Sequence, residues 1–256
     1  MLNKLMKYDL KSMFKVFIPL WAALMVVSLV NRFTFRMTHY DAPQVISMML
    51  YVFLFSAVLI VAVVLIIMRF YNGLLKDEGY LMFTLPVKPW QLVTSKCLSA
   101  SIIVLLSLII GGASIFLIAV DAEVLRDMRY AISEIAPYWS GDMTLAVVLG
   151  ILLMFASIIV SVTHVYAALA IGHLANRHRI GWAVAAYIGI NMLFTIIATV
   201  FANVFSVWDF HIEFTTENAM VMTNWGLAIL LGLCVVQIAI FYVATERILS
   251  KKLNLE

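Results

Sequence analysis

Five histidines are the side chains best suited to proton transfer or metal binding, and their spacing favours neither. His39 and His211 lie in connecting segments, His164 lies within a long apolar run, and His173 and His178 lie together at the end of that run. Five residues separate the last two, an interval that does not place both rings on one helical face. There is no Gly-x-x-x-x-Gly-Lys-Ser/Thr loop to cradle phosphates. His-Glu-x-x-His and Gly-x-Ser-x-Gly are missing too, so hydrolysis by zinc or an activated serine has no motif behind it. The expectation is a chain that is not an enzyme and binds no metal or cofactor of its own.

The other suggestive polar residues sit inside apolar runs. Tyr187, Asn191, Thr195, Thr199 and Asn203 recur every four positions. At about 100° per residue each step drifts by roughly 40°, so they form an inclined polar stripe on one side of a helix. Two asparagines are poor neighbours for lipid, and the stripe should face another helix, a second protomer or a substrate path. Interhelical hydrogen bonding is the plainer of these uses. Ser157, Ser161 and His164 make a second, weaker polar face, and Gln237 a single polar point. Ion-coupled carriers keep ionisable groups in mid-membrane. His164 is the sole such group here, which points to an energy source outside the chain.

These residues must be positioned by membrane helices. Of the 256 residues 64% are hydrophobic and only 12% charged, against about 25% charged in a soluble domain. Six apolar segments, at about 14–33, 46–68, 98–120, 144–171, 180–206 and 225–245, are each long enough to cross the hydrocarbon core. The expected fold is all-α: a polytopic membrane protein of about six transmembrane helices forming a single transmembrane domain. A net charge of +3 is too small to suggest nucleic acid as a partner. Cys97 and Cys234 have no framework spacing and read as small hydrophobes.

Basic residues set the orientation. With the N-terminus inside, 13 of the 17 Lys and Arg fall in cytoplasmic segments. The remaining 4, Arg32, Arg36, Arg126 and Arg129, lie outside with Asp121, Glu123, Asp127, Glu134, Asp142, Asp209, Glu213 and Glu217. Both ends are therefore expected in the cytoplasm. Lys4, Lys7, Lys11 and Lys15 share one helical face, opposite Leu2, Met6, Met13 and Phe17. Residues 1–15 read as an amphipathic elbow on the inner membrane surface, lysines toward anionic headgroups. It serves either as a topology anchor alone or also as a contact for a cytoplasmic partner. A signal peptide fits less well, because the apolar run leads into Asn31-Arg32-Phe33-Thr34 with no small-residue cleavage site.

The cytoplasmic connection at 69–97 is far longer than adjacent spans require. Asp77 and Glu78 favour a helix start, Gly79 interrupts the helix continuing from the second span, and Tyr80, Leu81, Met82 and Phe83 form a short apolar-aromatic piece closed by Leu85 and Pro86. Pro89 stands where the third span would begin. Exposed aromatics here need a membrane surface, the protein's own helices or a partner to cover them.

A basic amphipathic N-terminus, two spans, the loop Lys-Asp-Glu-Gly-Tyr-Leu-Met-Phe-Thr-Leu-Pro-Val, the pair Ser95-Lys96 and four further spans together resemble the membrane subunit of an ABC transporter of the ABC-2 exporter type found in Gram-positive bacteria. The layout covers essentially the whole chain, and the loop is its most specific part. The resemblance implies a permease of the bacterial cytoplasmic membrane working with separate cytoplasmic ATPase subunits, which would hold ATP and Mg. A second copy of the chain or a related permease would complete the pathway. Asp77, Glu78, Gly79, Tyr80, Leu81, Met82 and Phe83, ended by Pro86, would form the coupling helix seated on the ATPase. Asn191, Thr195, Thr199 and Asn203, with His164, would lie near the dimer interface or path, and the cargo would be hydrophobic or amphipathic, such as a peptide or antibiotic. The chain departs from the larger ABC-2 exporters in the short outer loop 207–224, which leaves little room for their re-entrant helices. The rival is a stand-alone secondary carrier or scaffold. A carrier would show internal repeats and broken helices, for which Gly111-Gly112 in the third span is the candidate break.

Overall fold

In a computed structural model the backbone is described for residues 2–36, 41–75, 89–175, 177–207 and 219–251. Among these residues the fold is all-α and contains no strand. Helix α1 spans Leu2–Arg36 and α2 Asp41–Phe70, which passes into a π-helical turn, Tyr71–Leu75. Next come α3 (Pro89–Ala119), α4 (Ala122–Ile135) with a 3₁₀ turn at Ala136–Tyr138, α5 (Gly141–His173), α6 (Arg179–Val207) and α7 (Ala219–Lys251). Six of these helices, all but α4, are long and apolar enough to cross a membrane. The chain is a multi-pass membrane protein.

The helices overrun the apolar windows read from the sequence. Thirty-three residues, as in α5, reach about 50 Å at 1.5 Å per residue, against a hydrocarbon core of about 30 Å. A helix is the cheapest way to satisfy backbone groups through the headgroup layer as well. The basic segment and the first span accordingly form one unbroken helix, α1, with Pro19 inside it, where the sequence suggested an elbow followed by a span. Nor does α3 break at Gly111-Gly112. Gly111 instead admits the ring of Phe55, whose Cε2 would stand 3.1 Å from any Cβ added there.

The chain divides into two compact units, 1–66 with 98–139 and 67–97 with 140–256. In the first, α1 buries Met13, Phe17, Trp21, Leu24, Ser28 and Asn31, an i, i+3, i+4 stripe. Polar groups then tie the helices together. Trp21 Nε1 donates to Ser107 Oγ at 3.2 Å, and Tyr51 OH lies 2.8 Å from Ser114 Oγ. Asn31 Nδ2 donates to the Ser47 carbonyl at 3.0 Å while Ser47 Oγ returns a bond to Asn31 Oδ1 at 3.0 Å. Lipid tails are as apolar as leucine, so such bonds and close packing, not the hydrophobic effect, hold membrane helices together.

In the second unit α5 packs on both α6 and α7. Ser140 caps α5, its side chain accepting from Met143 N at 3.3 Å. At the other end Gly172 lets α6 approach closely, since a Cβ there would lie 2.5 Å from Ala183 Cα. The reversal into α6 uses His178 in the left-handed region, at φ 54°.

Candidate functional site

The cytoplasmic connection is the first candidate. Asp77, Glu78, Gly79, Tyr80, Leu81, Met82, Phe83 and Pro86 lie outside the described residues, but both of their flanks are described. On the upstream side Phe70, Leu74 and Leu75 are buried, and on the downstream side Leu92, Val93, Ser95, Lys96 and Cys97. The ring of Phe70 stacks on Tyr166 of α5, centroids 4.0 Å apart and planes 15° from parallel. Tyr166 is 1% exposed, and its hydroxyl donates to the Lys96 carbonyl at 3.3 Å. Gly73 of the π turn faces the end of the Lys96 side chain, a Cβ there falling 3.4 Å from Nζ. Tyr71 meets His173 edge-on at 6.3 Å. One tyrosine of α5 therefore touches both flanks of residues 76–88: the incoming helix through its ring and the outgoing helix through its hydroxyl. Helix α3 starts at Pro89, the position expected from proline's fixed φ and missing N–H. Its first turns are also tied to α7, where Tyr242 OH donates to the Trp90 carbonyl at 3.1 Å and lies 2.8 Å from Thr94 Oγ1.

The second candidate is the polar stripe of α6. Asn191, Thr195, Thr199 and Asn203 are all exposed. Asn191 Nδ2 donates to the Tyr187 carbonyl (3.1 Å), Thr195 Oγ1 to that of Asn191 (2.9 Å) and Thr199 Oγ1 to that of Thr195 (2.8 Å). Those bonds satisfy the hydroxyl protons but leave acceptor lone pairs and half of the Asn191 amide with spare capacity. The stripe thus lies on the outside of the chain, and the bonds of Asn191, Thr195 and Thr199 run along their own helix.

His164 is set apart from it by burial. Its ring is sandwiched between Tyr187 of α6 at 4.5 Å and Phe241 of α7 at 4.9 Å, both stacked. Phe194 meets Phe241 edge-on at 5.5 Å. Nε2 of His164 is buried without a hydrogen-bond partner among the described residues. Stacking therefore brings α5, α6 and α7 together at this ring. Ser157 and Ser161, grouped with His164 in the sequence, are exposed and bond to carbonyls of their own helix.

Lys4, Lys7, Lys11 and Lys15 are exposed along one face of α1. Lys7, Lys11 and Lys15 line an open groove with Met6, Leu10 and Phe14. The opposite face is buried against protein from Met13 onward, Phe17 being fully enclosed. Among the described residues no three His, Cys, Asp or Glu side chains gather as a metal site. The sequence reading missed the Tyr166 contact altogether. An aromatic about seven turns after a capping serine gives no clue to its partner some 70 positions away. The chain matches no known protein family, no curated protein and no solved structure.

Proposed function

We propose that this chain is the permease subunit of an ATP-driven exporter of the ABC-2 type in the bacterial cytoplasmic membrane. Two copies, or one copy and a related permease, would pair with two cytoplasmic ATPase subunits that bind ATP and Mg. The observation that carries this reading is the anchoring of the two helices that flank residues 76–88 on one residue, Tyr166. A segment meant to receive a push from a soluble partner must be mounted so that the push reaches the spans. Here its incoming helix stacks on Tyr166 and its outgoing helix accepts a hydrogen bond from the same residue. Force applied at Tyr80 or Phe83 would pass to α5, and through it to α6 and α7, which pack on it. The resemblance of the loop and of the span order supports the same assignment. In this reading the stripe Asn191, Thr195, Thr199 and Asn203 lies where the two permeases meet, and the cargo is hydrophobic or amphipathic.

The test is co-purification of the full chain in detergent with ATPase subunits encoded beside it, wild type against Tyr80→Ala/Phe83→Ala. Supporting the proposal, an ATPase is retained by the wild type and lost from the double variant at equal permease yield. Failure of every such ATPase to bind the intact chain overturns it and leaves a stand-alone carrier or scaffold as the account.

A further inference from the structure

The outer connection between α3 and α5 carries few of the long apolar runs that mark the spans, yet it folds as the helix α4. No residue of α4 is buried. Its side chains are sorted all the same. Val124, Leu125, Met128, Ile132 and Ile135 fall within about 100° of one another at 100° per residue, while Glu123, Arg126, Asp127, Ser133 and Glu134 occupy the opposite side. Arg126 pairs along that side with Glu123 at 3.4 Å and with Asp127 at 3.8 Å. The apolar side chains are strongly exposed, Ile132 at 65%. A helix with this division needs an apolar neighbour.

Three observations identify that neighbour. First, α4 is tied at membrane level at both ends: it begins three positions after α3 ends at Ala119, and α5 begins at Gly141, just beyond the short 3₁₀ turn. Such short tethers hold it within the headgroup layer. Second, the lipid-facing surface of α3 runs up to it, with Ile115 and Phe116 each 51% exposed in the last turns before α4. Third, Tyr138 is 79% and Trp139 54% exposed at the junction with α5, and these are the residue types that settle where hydrocarbon meets headgroups. We infer that α4 is an interfacial helix, lying along the outer leaflet with Val124, Leu125, Met128, Ile132 and Ile135 in the acyl boundary and its charged side toward water. Three carboxylates (Glu123, Asp127, Glu134) against two guanidiniums (Arg126, Arg129) leave it a net negative side. Its attachment is therefore apolar, and anionic lipid and low salt add nothing to it.

The experiment is spin-label accessibility on the full chain in phosphatidylethanolamine–phosphatidylglycerol vesicles, with Cys97→Ala and Cys234→Ala as background. Single labels are placed through Leu125→Cys, Met128→Cys and Ile132→Cys on one side and Arg126→Cys and Ser133→Cys on the other. Expected are frequent collisions with oxygen and protection from a water-soluble nickel chelate at 125, 128 and 132, the reverse at 126 and 133, and no change when salt is raised. Free access of the chelate to all five labels would overturn the inference by placing the helix in water. Shielding of 125, 128 and 132 from both reagents would overturn it equally, because a second copy or another protein would then be the cover. Neither outcome depends on the ATPase, so the result is independent of the exporter reading.

Discussion

The α5–α6 crossing at Gly172 leaves no room for a side chain. A Cβ added at Gly172 would stand 2.5 Å from both Cα and Cβ of Ala183, and close to the Ala183 amide nitrogen as well. Carbon atoms rest about 3.5–4.0 Å apart, so Gly172→Ala requires the two helices to part by about 1 Å at that point. The obstacle is backbone, not the end of a flexible side chain, and a rotamer change cannot relieve it. Forced expansion of a packed contact costs about 1–3 kcal/mol. Replacing a helical glycine by alanine returns up to about 1 kcal/mol. The first effect wins, leaving a net loss of about 1–2 kcal/mol, or a fall in melting temperature of about 3–6 °C by the scaling for chains of similar size. Gly150 in the same helix is the control. A Cβ there meets nothing within 4 Å, so Gly150→Ala is expected to leave the transition unchanged or raise it. The assay is thermal unfolding of each variant in detergent micelles, followed by tryptophan fluorescence. Co-melting of Gly172→Ala with the wild type, or equal losses at Gly172 and Gly150, would refute the close crossing.

Tyr166 separates ring from hydroxyl in the same assay. Tyr166→Phe removes one hydrogen bond to the Lys96 carbonyl and is expected to cost about 0.6 kcal/mol, the usual worth of a polar contact between membrane helices. Tyr166→Ala also removes the partner of Phe70 and leaves a cavity, for an expected loss of about 3 kcal/mol; indistinguishable losses from the two variants would count against the stack. For the stripe, Thr195→Cys in a Cys97→Ala/Cys234→Ala background is expected to form a disulfide-linked dimer in oxidised membranes, while Val236→Cys on α7 stays monomeric, as read by non-reducing electrophoresis. Equal crosslinking at both positions would remove the case for a specific α6 contact.

Composition made the membrane class and the six spans legible, because a helix in lipid needs an unbroken apolar run and little else. Pro89 announced the start of α3 for a similarly local reason. What stayed hidden depends on pairing across the fold. Serine at positions 47, 107 and 114 reads as a tolerated small residue until Asn31, Trp21 and Tyr51 are seen beside it. Gly111-Gly112 looked like a break because the sequence does not show the Phe55 ring that fills the space. The amphipathic division of α4 was readable in principle. Its period is clear once the charged residues are taken as one face of a helix rather than as the polar content of a loop. The stripe on α6 was visible as a stripe, but its direction was not, since periodicity gives a face without saying what it looks at.

That direction bears on the uses the stripe could have. If Asn191, Thr195 and Thr199 served to fasten α6 to its own protomer, they would meet α5 or α7, yet all three are exposed and bond along α6. Helix α7 is the natural comparison. It too is exposed over most of its length, and its outward residues are Trp225, Ile229, Leu233, Val236, Ile240 and Val243, every one suited to lipid. Its polar contacts turn inward instead: Asn224 donates to the Asp142 carbonyl at 3.1 Å and Tyr242 to that of Trp90 at 3.1 Å. Helix α6 also turns apolar residues outward, Ile188, Met192, Ile196 and Val200 among them, and differs from α7 in the polar stripe that runs beside them. A threonine can lie in lipid at little cost by bonding to its own helix, but an asparagine cannot saturate a carboxamide that way. The stripe, as distinct from the apolar residues around it, is therefore matched to a polar or protein neighbour rather than to acyl chains.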